Sequence, residues 1–486
     1  MTKIQIAYDA GHGRVWHGQL AEKLRKYGHE ISFYPVDVAG CATALKRFQR
    51  LLRVERRLYG AQTQRALADF SPSAAPRQDG DIILDLSTKG CGAAQRITLA
   101  YNGVQGEAGA LAALIAHVPL VLSLQLQVAG QKAQALSCAR PGIEDREILG
   151  KAMTYVAVAA AAMVQKLVRA GLRPGFAPIL DAPPASPLRP SMAYFVTKRL
   201  AIKMARQVRK RFGKPHGHWR VGWRKVQGDD VKGAKQWAAS GYQTLADDGS
   251  GYFADPFLFQ HQGLTHVFCE EYPYATQMGV ISAFTIDAEG RASKPVKVLE
   301  RPYHLSYPQV FQRDGEIYMI PETGANHTIE LYRAVHFPHE WQLEKVLVDQ
   351  IHAGDATFIE YQGRCWIFAS IVDPEGSSWD QLGVFHAPDL LGPWQAHSQN
   401  PLLIDASCAR PAGQMWVEDG VLWRVAQDCG TGYGRAVQLV RVDQLTPDDY
   451  LQTAMVRLAP KPEWQFEGLH TLNSANGVEM IDFLRR

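Results

Sequence analysis

The sequence predicts two fold classes in one chain, an α/β domain followed by an all-β, five-bladed β-propeller. In the first half, strand-like and helix-like segments alternate, which is typical of a mostly parallel sheet covered by helices. In the second half a hairpin pattern recurs at intervals of 48 to 60 residues, and such repeats are typical of propeller blades. The predicted segments are 1–185 for the α/β domain, 186–220 for a basic helical linker and 221–486 for the propeller.

Five strand candidates support the α/β prediction. They are KIQIAY (3–8), EISFYPV (30–36), DIILDLS (81–87), ITLAY (97–101) and VPLVLSLQLQ (118–127). The longest apolar run of the chain, residues 152–168, is mostly Ala. It is shorter than the roughly 20 residues that span a bilayer, and it therefore predicts a buried helix.

The repeated unit of the second half has a polar start, an alternating strand, a turn with Gly and a second alternating strand. Its copies are GYFADPFLFQHQGLTHVFCEEY (251–272), HLSYPQVFQRDGEIYMIPET (304–323), HAGDATFIEYQGRCWIFASI (352–371), CARPAGQMWVEDGVLWRVAQD (408–428) and GLHTLNSANGVEMIDFL (468–484). With Asp255, Tyr307, Asp355, Arg410 and His470 as equivalent points, the spacings are 52, 48, 55 and 60 residues. A β-sandwich with accidental similarity is the alternative.

The composition of the chain indicates where the protein is located and which partners it is expected to have. The net charge of +4 gives no reason to expect nucleic acid or another polyanion as a general partner. The seven cysteines are scattered without a CxxC pair, which favours reduced thiols and a cytoplasmic protein. The N-terminus begins with a strand pattern rather than a basic segment and an apolar core, so we expect no secretory signal.

One segment is unusually basic. Residues 189–225 contain twelve Lys or Arg and no Asp or Glu. A helix over residues 192–212 would carry one basic stripe, formed by Arg199, Lys203, Arg206 and Lys210. Such a helix could lie on an anionic membrane surface, which would make the protein peripheral at the inner face of the membrane. Alternatively, it packs between domains and its basic face is solvated.

The repeat predicts a polar site at the centre of the propeller, because the innermost strand of each blade starts near the axis. The first strands would bring Asp255, His304 with Tyr307, Asp355, Arg410 and His470. The ends of the second strands would add Glu270 or Glu271, Glu322, and Gln427 with Asp428. The alternative for each residue alone is a turn cap, since Asp often precedes a strand for that reason.

The second half resembles the β-propeller domain of glucosamine inositolphosphorylceramide transferases, which also occurs in bacterial proteins of polysaccharide gene clusters. The resemblance rests on FADPFLF…HVFCEEY, HLSYPQVF…GEIYMIPET, GDATFIEYQGRCWIFAS and ARPAGQ…LWRVAQDCGTGYGRAVQLVRVDQLT. The first half resembles the degenerate formyltransferase-like domain that precedes this propeller in bacterial members. We do not expect formyl transfer, because Asn102 in AYNGVQG has no His two residues later.

Glycosyl transfer needs a base, an acid and stabilisation of an oxocarbenium-like transition state, and carboxyl groups supply all three. Asp255 and Asp355 are the candidates for base and stabiliser, and Glu271 or Glu322 for the acid. Arg410 and Arg435 could hold a phosphate or carboxylate of the donor, since a guanidinium reads such groups with two hydrogen bonds. The other candidate substrate-binding residues are Tyr307, His304, Gln427, Asp428, Tyr433 and His470.

The function that these residues and the resemblance together imply is a glycosyltransferase of bacterial surface-polysaccharide or glycolipid assembly. Its partners would be an activated sugar donor, which could be nucleotide-activated, and a glycan or lipid-linked acceptor, without a further cofactor. No metal is expected, because the histidines have no tight ligand spacing. Two alternatives stay open: a glycoside hydrolase that uses the same carboxylates, and a glycan-binding protein without catalysis.

Overall fold

The chain forms two compact units in a computed structural model. Residues 1–214 with the short segments 373–377 and 403–405 form the α/β unit, and the remaining residues form the propeller unit. The structure describes residues 2–37, 42–76, 82–171, 197, 199, 201, 204, 218–226, 228, 230–237, 241–464 and 466–485.

The α/β unit contains one mixed sheet. Its strands are β1 (Lys3–Asp9), β2 (Glu30–Val36), β3 (Ile82–Asp85), β4 (Gln95–Tyr101), β5 (Val104–Gln105), β6 (Leu122–Val128) and β7 (Gln134–Ala139). The order is β2-β1-β3-β4-β6-β7, with β5 paired to β4. The first four strands of this order are parallel, whereas β6 and β7 are antiparallel to their neighbours.

The prediction of a mostly parallel sheet therefore needs correction. The segment around β6 alternates Leu with partly exposed Gln, a pattern typical of an antiparallel strand with one solvated face. The following turn places Gly130 at a φ of 77°, which allows the chain to reverse into β7. The formyltransferase-like character of this unit stays a prediction.

The helices of the unit are α1 (Val15–Lys26), α2 (Ala42–Tyr59), α3 (Glu107–Ala116) and α4 (Leu149–Arg169), with a 3-10 helix at Ala61–Leu67. Helix α4 confirms the prediction of a buried helix over residues 152–168, since small alanine side chains let it pack closely in the core. Within the described part of the chain, it alone is long and apolar enough to cross a membrane, and 72% of that apolar window is buried in the fold.

Most of the predicted basic helix at 192–212, including Lys203, Arg206 and Lys210, lies outside the described residues. Arg199 is described and helical, and its Nη1 donates to Glu55 Oε1 at 2.7 Å. Its side chain is only 15% exposed, so the prediction of an exposed Arg199 is wrong. The same Glu55 carboxylate accepts hydrogen bonds from the first backbone amides of α4, where a negative charge is favourable.

The propeller unit confirms the prediction of five blades. Blade 1 contains β10 (Gly251–His261), β11 (Leu264–Pro273), β12 (Val280–Ile286) and β13 (Val296–Leu299); blade 2 contains β14 (Ser306–Arg313), β15 (Glu316–Glu322), β16 (Thr328–His336) and β17 (Glu340–Asp349). Blade 3 contains β18 (Ala353–Tyr361), β19 (Arg364–Ile371), β20 (Gln381–Ala387) and β21 (Gln395–Ala396), after which β22 (Leu403–Ile404) follows in the chain. Blade 4 contains β23 (Trp416–Glu418), β24 (Val421–Asp428), β25 (Ala436–Leu445) and β26 (Tyr450–Leu458).

Blade 5 closes the ring with strands from both ends of the unit. Strands β27 (Phe466–Gly468), β28 (Leu472–Ala475) and β29 (Val478–Arg485) join β8 (Trp219–Lys225) and β9 (Gln243–Thr244) in one sheet. Strand β8 runs antiparallel to β29, with Trp219 opposite Leu484 and Lys225 opposite Val478. The closure thus joins segments that are about half the chain apart.

A buried ion pair fastens this closure. Glu479 on β29 is fully buried, and Arg224 on β8 donates to it from Nε at 2.7 Å and from Nη2 at 3.0 Å. The same carboxylate accepts from the Tyr242 hydroxyl at 2.5 Å and from the Val231 backbone amide at 2.7 Å. The Glu479 carboxylate thus accepts four hydrogen bonds and links β29 to β8 and to the segment that follows β8.

Replacing Glu479 with Gln should lower the free energy of unfolding of the propeller unit by about 3 kcal/mol, because Arg224 then stays buried without its counter-charge. Tryptophan fluorescence during urea unfolding reports this unit, since all 11 tryptophans except Trp16 belong to it. Glu463→Gln is the matched control at an exposed position, where we expect a change within about 0.5 kcal/mol. Equal losses in both variants would contradict the assigned role of Glu479.

Candidate active site

Three blades share a bulge that turns a polar side chain out of the strand. Asp255, Tyr307 and Asp355 have φ angles of 50°, 48° and 53°, and each lies where the pairing of the first and second strands shifts register. A bulge of this kind re-aims a side chain, and a left-handed conformation is uncommon for residues other than Gly. The three residues therefore occupy equivalent positions, as the repeat predicts.

Asp255 belongs to a hydrogen-bonded group whose other members, His470, Thr471 and Asp482, come from blade 5. Its Oδ1 accepts from the Thr471 hydroxyl at 2.7 Å and lies 3.9 Å from His470 Nε2. The other ring nitrogen, Nδ1, lies 2.5 Å from Asp482 Oδ2. Asp482 also accepts from the backbone amides of Asp255, His470 and Thr471 at 2.8 to 3.0 Å. The group fixes the position of the Asp255 carboxyl.

Aromatic rings hold the imidazole of His470 in this group. The Trp219 ring stacks on it with centroids 4.0 Å apart and planes within 6° of parallel. The Tyr433 ring meets it edge to face at a centroid distance of 5.1 Å. Trp219 belongs to β8, so the strand that closes the ring also orders the site.

Burial and charge shift the pKa values of this group. Burial raises the pKa of Asp255 to about 6, with Asp482 and Asp355 adding to the rise and His470 opposing it. Burial lowers the pKa of His470, but the carboxylates of Asp482 and Asp255 outweigh it and raise the pKa overall. The pKa of Asp255 therefore lies closer to neutral pH than that of an exposed Asp.

Glu270, at the end of β11, presents a second buried carboxyl group. Burial raises its pKa well above the usual range, and the nearby charges of Asp255 and Glu322 add to this rise. No described group donates a hydrogen bond to its buried Oε1, which lies 3.3 Å from His304 Nε2. Glu270 therefore has the environment of a carboxylic acid.

Asp355 and Arg410 form a buried pair beside these groups. Arg410 donates to the Asp355 carboxylate from Nε at 2.5 Å and from Nη2 at 3.1 Å, and Gln427 Nε2 donates to it at 2.8 Å. Glu322 lies 3.6 Å from Arg410 Nη2 and accepts from the Asp355 amide at 2.9 Å. Burial raises the pKa of Asp355 to about 7 against the lowering effect of Arg410. We call Asp255, Glu270, Glu322, Asp355, Arg410, His470 and Asp482 the central cluster.

The arginine fork that sequence reasoning assigned to the donor is already occupied. Both of the Arg410 nitrogens that would grip a phosphate side by side contact Asp355, and Nη1 donates to the Ser378 carbonyl at 3.3 Å. The guanidinium also lies 5.5 Å from the ring centre of Tyr433, which is half-buried. Arg410 thus contributes a fixed positive charge, and Tyr433 a ring, at the border of the central cluster.

Several predicted site residues lie elsewhere. Glu271 accepts from the Ser282 hydroxyl at 2.5 Å within its own blade, and Asp428 accepts from Arg457 Nε at 2.6 Å. Arg435 is exposed and donates to the Glu467 carbonyl at 2.9 Å. Tyr307 is fully buried, and its hydroxyl accepts from the Gly413 amide at 2.5 Å, so it packs in the interior rather than presenting a ring to a sugar.

Sequence reasoning missed Asp482, Thr471 and Trp219. It left Glu270 or Glu271 open as the inward glutamate and took Glu271 as a candidate acid. A signal for Asp482 exists, since the strand VEMIDFL places acidic residues among apolar ones, and Glu479 and Asp482 are both fully buried. An acidic residue in an otherwise apolar strand indicates a buried, paired carboxylate.

Asp255, His470 and Asp482 also have ligand atoms within 4.8 Å of one another, the one such set of three in the described part of the chain. A cation fits this set poorly. The two oxygens of Asp482 already accept from three backbone amides and face His470 Nδ1, so few lone pairs remain for a metal. The donor set fits a hydrogen-bonded network, and the absence of a metal site stays a prediction.

Replacing Glu270 with Gln is expected to lower turnover by about 10²–10⁴-fold if it supplies the proton for the leaving group. Glu271→Gln is the matched control one residue away, and we expect nearly unchanged turnover for it because Glu271 bonds Ser282 outside the central cluster. Initial rates of both variants on the same donor provide the measurement. A larger loss in Glu271→Gln than in Glu270→Gln would reverse the assignment.

The fold is a five-bladed propeller with a buried cluster of carboxyl groups, and part of it matches one family model. Residues 239–473 match the family model described as glucosamine inositolphosphorylceramide transferase 1, N-terminal. The curated protein of that name from Oryza sativa subsp. japonica is 37% identical over 205 residues, which cover 41% of this chain and 27% of the relative. The Arabidopsis thaliana protein is 34% identical with the same coverage. The chain thus spans about a quarter of the length of the curated relatives it matches.

Solved structures give a weaker likeness. A GH43 protein from Bacillus licheniformis, BlXynB, has a TM-score of 0.33 at 16% identity and covers 45% of this chain and 47% of that chain. An α-L-arabinanase from Cellvibrio cellulosa in complex with arabinohexaose has a TM-score of 0.34 at 15% identity, with coverage of 47% and 84%. At these TM-scores the likeness carries no argument about function.

Proposed function

We propose that the chain is a glycosyltransferase and that the central cluster is its active site. The observation that carries this proposal is the pair of buried carboxyl groups in one cluster, Asp255 with a pKa of about 6 and Glu270 with a pKa well above its usual range. Carboxyl groups whose environments separate their pKa values can serve as base and acid in one reaction. The curated relatives are named as transferases, which supports the reaction class.

In this proposal the acceptor hydroxyl attacks the anomeric carbon of the donor sugar. Asp255 takes the hydroxyl proton as the new C–O bond forms and the bond to the leaving group breaks. Glu270 returns a proton to the leaving oxygen where that group needs one; a phosphate leaving group does not. The remaining carboxylates stabilise the positive charge that develops on the sugar ring.

Arg410 has an electrostatic role in this proposal. Asp355 and Gln427 hold the guanidinium and its partner in place, so its charge needs no reorganisation when a donor binds. A fixed positive charge beside the acid–base pair favours an anionic leaving group. The donor would therefore be an activated sugar, such as a nucleotide sugar, and no other cofactor is needed. The acceptor would be a glycolipid or polysaccharide hydroxyl, at a cytoplasmic location.

A sugar-binding role without turnover is the second candidate. The extent of the match favours this candidate. The matched residues correspond to only 27% of the relative's length, and the family description refers to an N-terminal part. A binding protein would keep the aromatic and polar groups of the site without needing two carboxyl groups of different pKa.

A transfer assay separates the candidates. The full chain is incubated with a panel of radiolabelled nucleotide sugars, with glycolipid or oligosaccharide acceptors, and products are separated from free sugar. A transferase forms labelled acceptor, a hydrolase releases free sugar, and a binding protein retains the ligand unchanged. Labelled acceptor that disappears in Asp255→Asn supports the proposal, whereas retention without turnover for every donor favours the binding role.

A further inference from the structure

The outward face of α2 combines exposed apolar and basic side chains. Val54 and Leu58 are 52% and 65% exposed, and their spacing of four residues places them one above the other on the helix. Arg50, Arg53 and Arg57 are also exposed, at spacings of three and four residues that form an adjoining stripe. We call these five residues the α2 face.

The opposite side of α2 is fixed in the α/β unit. Leu52 and Glu55 are buried, and Glu55 bonds both Arg199 and the first amides of α4. The sequence-based membrane hypothesis relied on basic residues around Arg199, but that side chain is paired inside the unit. Helix α2 thus packs in the α/β unit through its inner side, and its outer side stays exposed.

The arginines of the α2 face have no acidic partner among the described residues. Each of the ion pairs of the described α/β unit involves other basic residues, such as Arg14, Arg96 and Arg199. Three guanidinium groups without an acidic partner among the described residues thus lie beside exposed Val and Leu side chains on one face of the helix. The apolar pair would gain from burial, and the arginines from anionic oxygens.

We propose that the α2 face binds the surface of a bilayer that contains anionic lipids. The arginines would contact lipid phosphates, and Val54 and Leu58 would enter the boundary between headgroups and acyl chains, as in other interfacial helices. A soluble polyanion such as a nucleic acid satisfies only the arginines, so the exposed apolar pair favours a lipid surface. This inference uses no residue of the central cluster and stands independently of the proposed transferase activity.

Vesicle co-sedimentation of the full chain tests the charge of the α2 face. We expect binding to vesicles with 30% phosphatidylglycerol, weaker binding at high salt and none to pure phosphatidylcholine. Arg53→Gln with Arg57→Gln should weaken the partition coefficient about 30-fold, since each basic residue contributes about 1 kcal/mol near an anionic surface. The control variant, Lys132→Gln with Lys294→Gln, has the same net charge change at exposed positions and should lose far less.

A second variant separates a lipid surface from a polyanion. Val54→Ser with Leu58→Ser should lower binding to anionic vesicles by at least fivefold and leave retention on a heparin column unchanged. Val335→Ser with Leu343→Ser changes a similarly exposed apolar pair in the propeller unit and should keep full vesicle binding. Absence of vesicle binding by the wild type, or equal losses in the α2 and control variants, would overturn the proposal. Unchanged vesicle binding in Val54→Ser with Leu58→Ser would show that the apolar pair does not enter the bilayer and would contradict the proposal.

Discussion

The Asp255→Asn variant is expected to lose about 10²–10⁴-fold in turnover and to keep its fold. Asn preserves the shape of the side chain and can still accept the hydrogen bond from the Thr471 hydroxyl, but it cannot take a proton from an acceptor. The loss of the base should appear in kcat as well as in kcat/KM, because proton transfer belongs to the transition state. Initial rates and thermal melting of the purified variant are the measurements.

The matched control for this variant is Asp314→Asn. Asp314 has a similar left-handed φ of 52° but lies in an exposed turn of blade 2. We expect wild-type turnover for it. The wild-type rate should also fall as the pH drops through about 6, because the Asp255 carboxylate is then protonated. Full activity of Asp255→Asn, or a pH profile without this acid limb, would show that the Asp255 carboxyl is structural.

The Asp355→Asn variant is expected to lower the free energy of unfolding by about 3 kcal/mol. Asp355 is the bidentate partner of a buried arginine, and removal of its charge leaves Glu322, at 3.6 Å, as the one carboxylate beside the Arg410 guanidinium in the described part of the chain. Sequence reasoning treated Asp355 only as a candidate base or stabiliser of the reaction. The structure predicts a loss of stability in addition to any loss of activity.

A surface pair provides the comparison for Asp355→Asn. Asp389 accepts from Arg313 Nη2 at 2.8 Å, but its side chain is 56% exposed. Exposed ion pairs contribute about 0–1 kcal/mol, so Asp389→Asn should change stability by no more than that. Urea unfolding followed by tryptophan fluorescence compares the two variants. A loss below 1 kcal/mol for Asp355→Asn would contradict the structural role of the buried pair.

The blades could be predicted from the sequence because each hairpin is local. Strand, turn and strand recur within about twenty residues, and the shared bulge leaves a polar residue at the same place in each of three copies. The contribution of β8 to blade 5 could not be predicted in this way. Its partner β29 lies far away in the chain, and neither strand carries a signal that identifies the other.

The choice between Glu270 and Glu271 shows why the site was only partly predictable. Neighbouring residues of a strand face opposite sides, so a register shift of one residue exchanges them. The bulge between Ala254 and Phe257 introduces such a shift in β10, the strand that pairs with β11. The structure brings Glu270 of β11 to the central cluster. Likewise, the sequence identifies Arg410 as a candidate but not its bond to Asp355, because that pairing joins two blades.

The most direct test of the proposed active site is a structure of the protein with a nucleotide sugar bound, taken from the donors that the transfer assay identifies. The proposal predicts that the anomeric carbon lies within about 3–3.5 Å of the attacking position served by Asp255, as a near-attack arrangement requires. It also predicts that the leaving oxygen lies within hydrogen-bond reach of Glu270 and on the side of Arg410. A donor bound at another surface, with the Asp255 and Glu270 carboxyl groups out of reach of the sugar, would contradict the central claim.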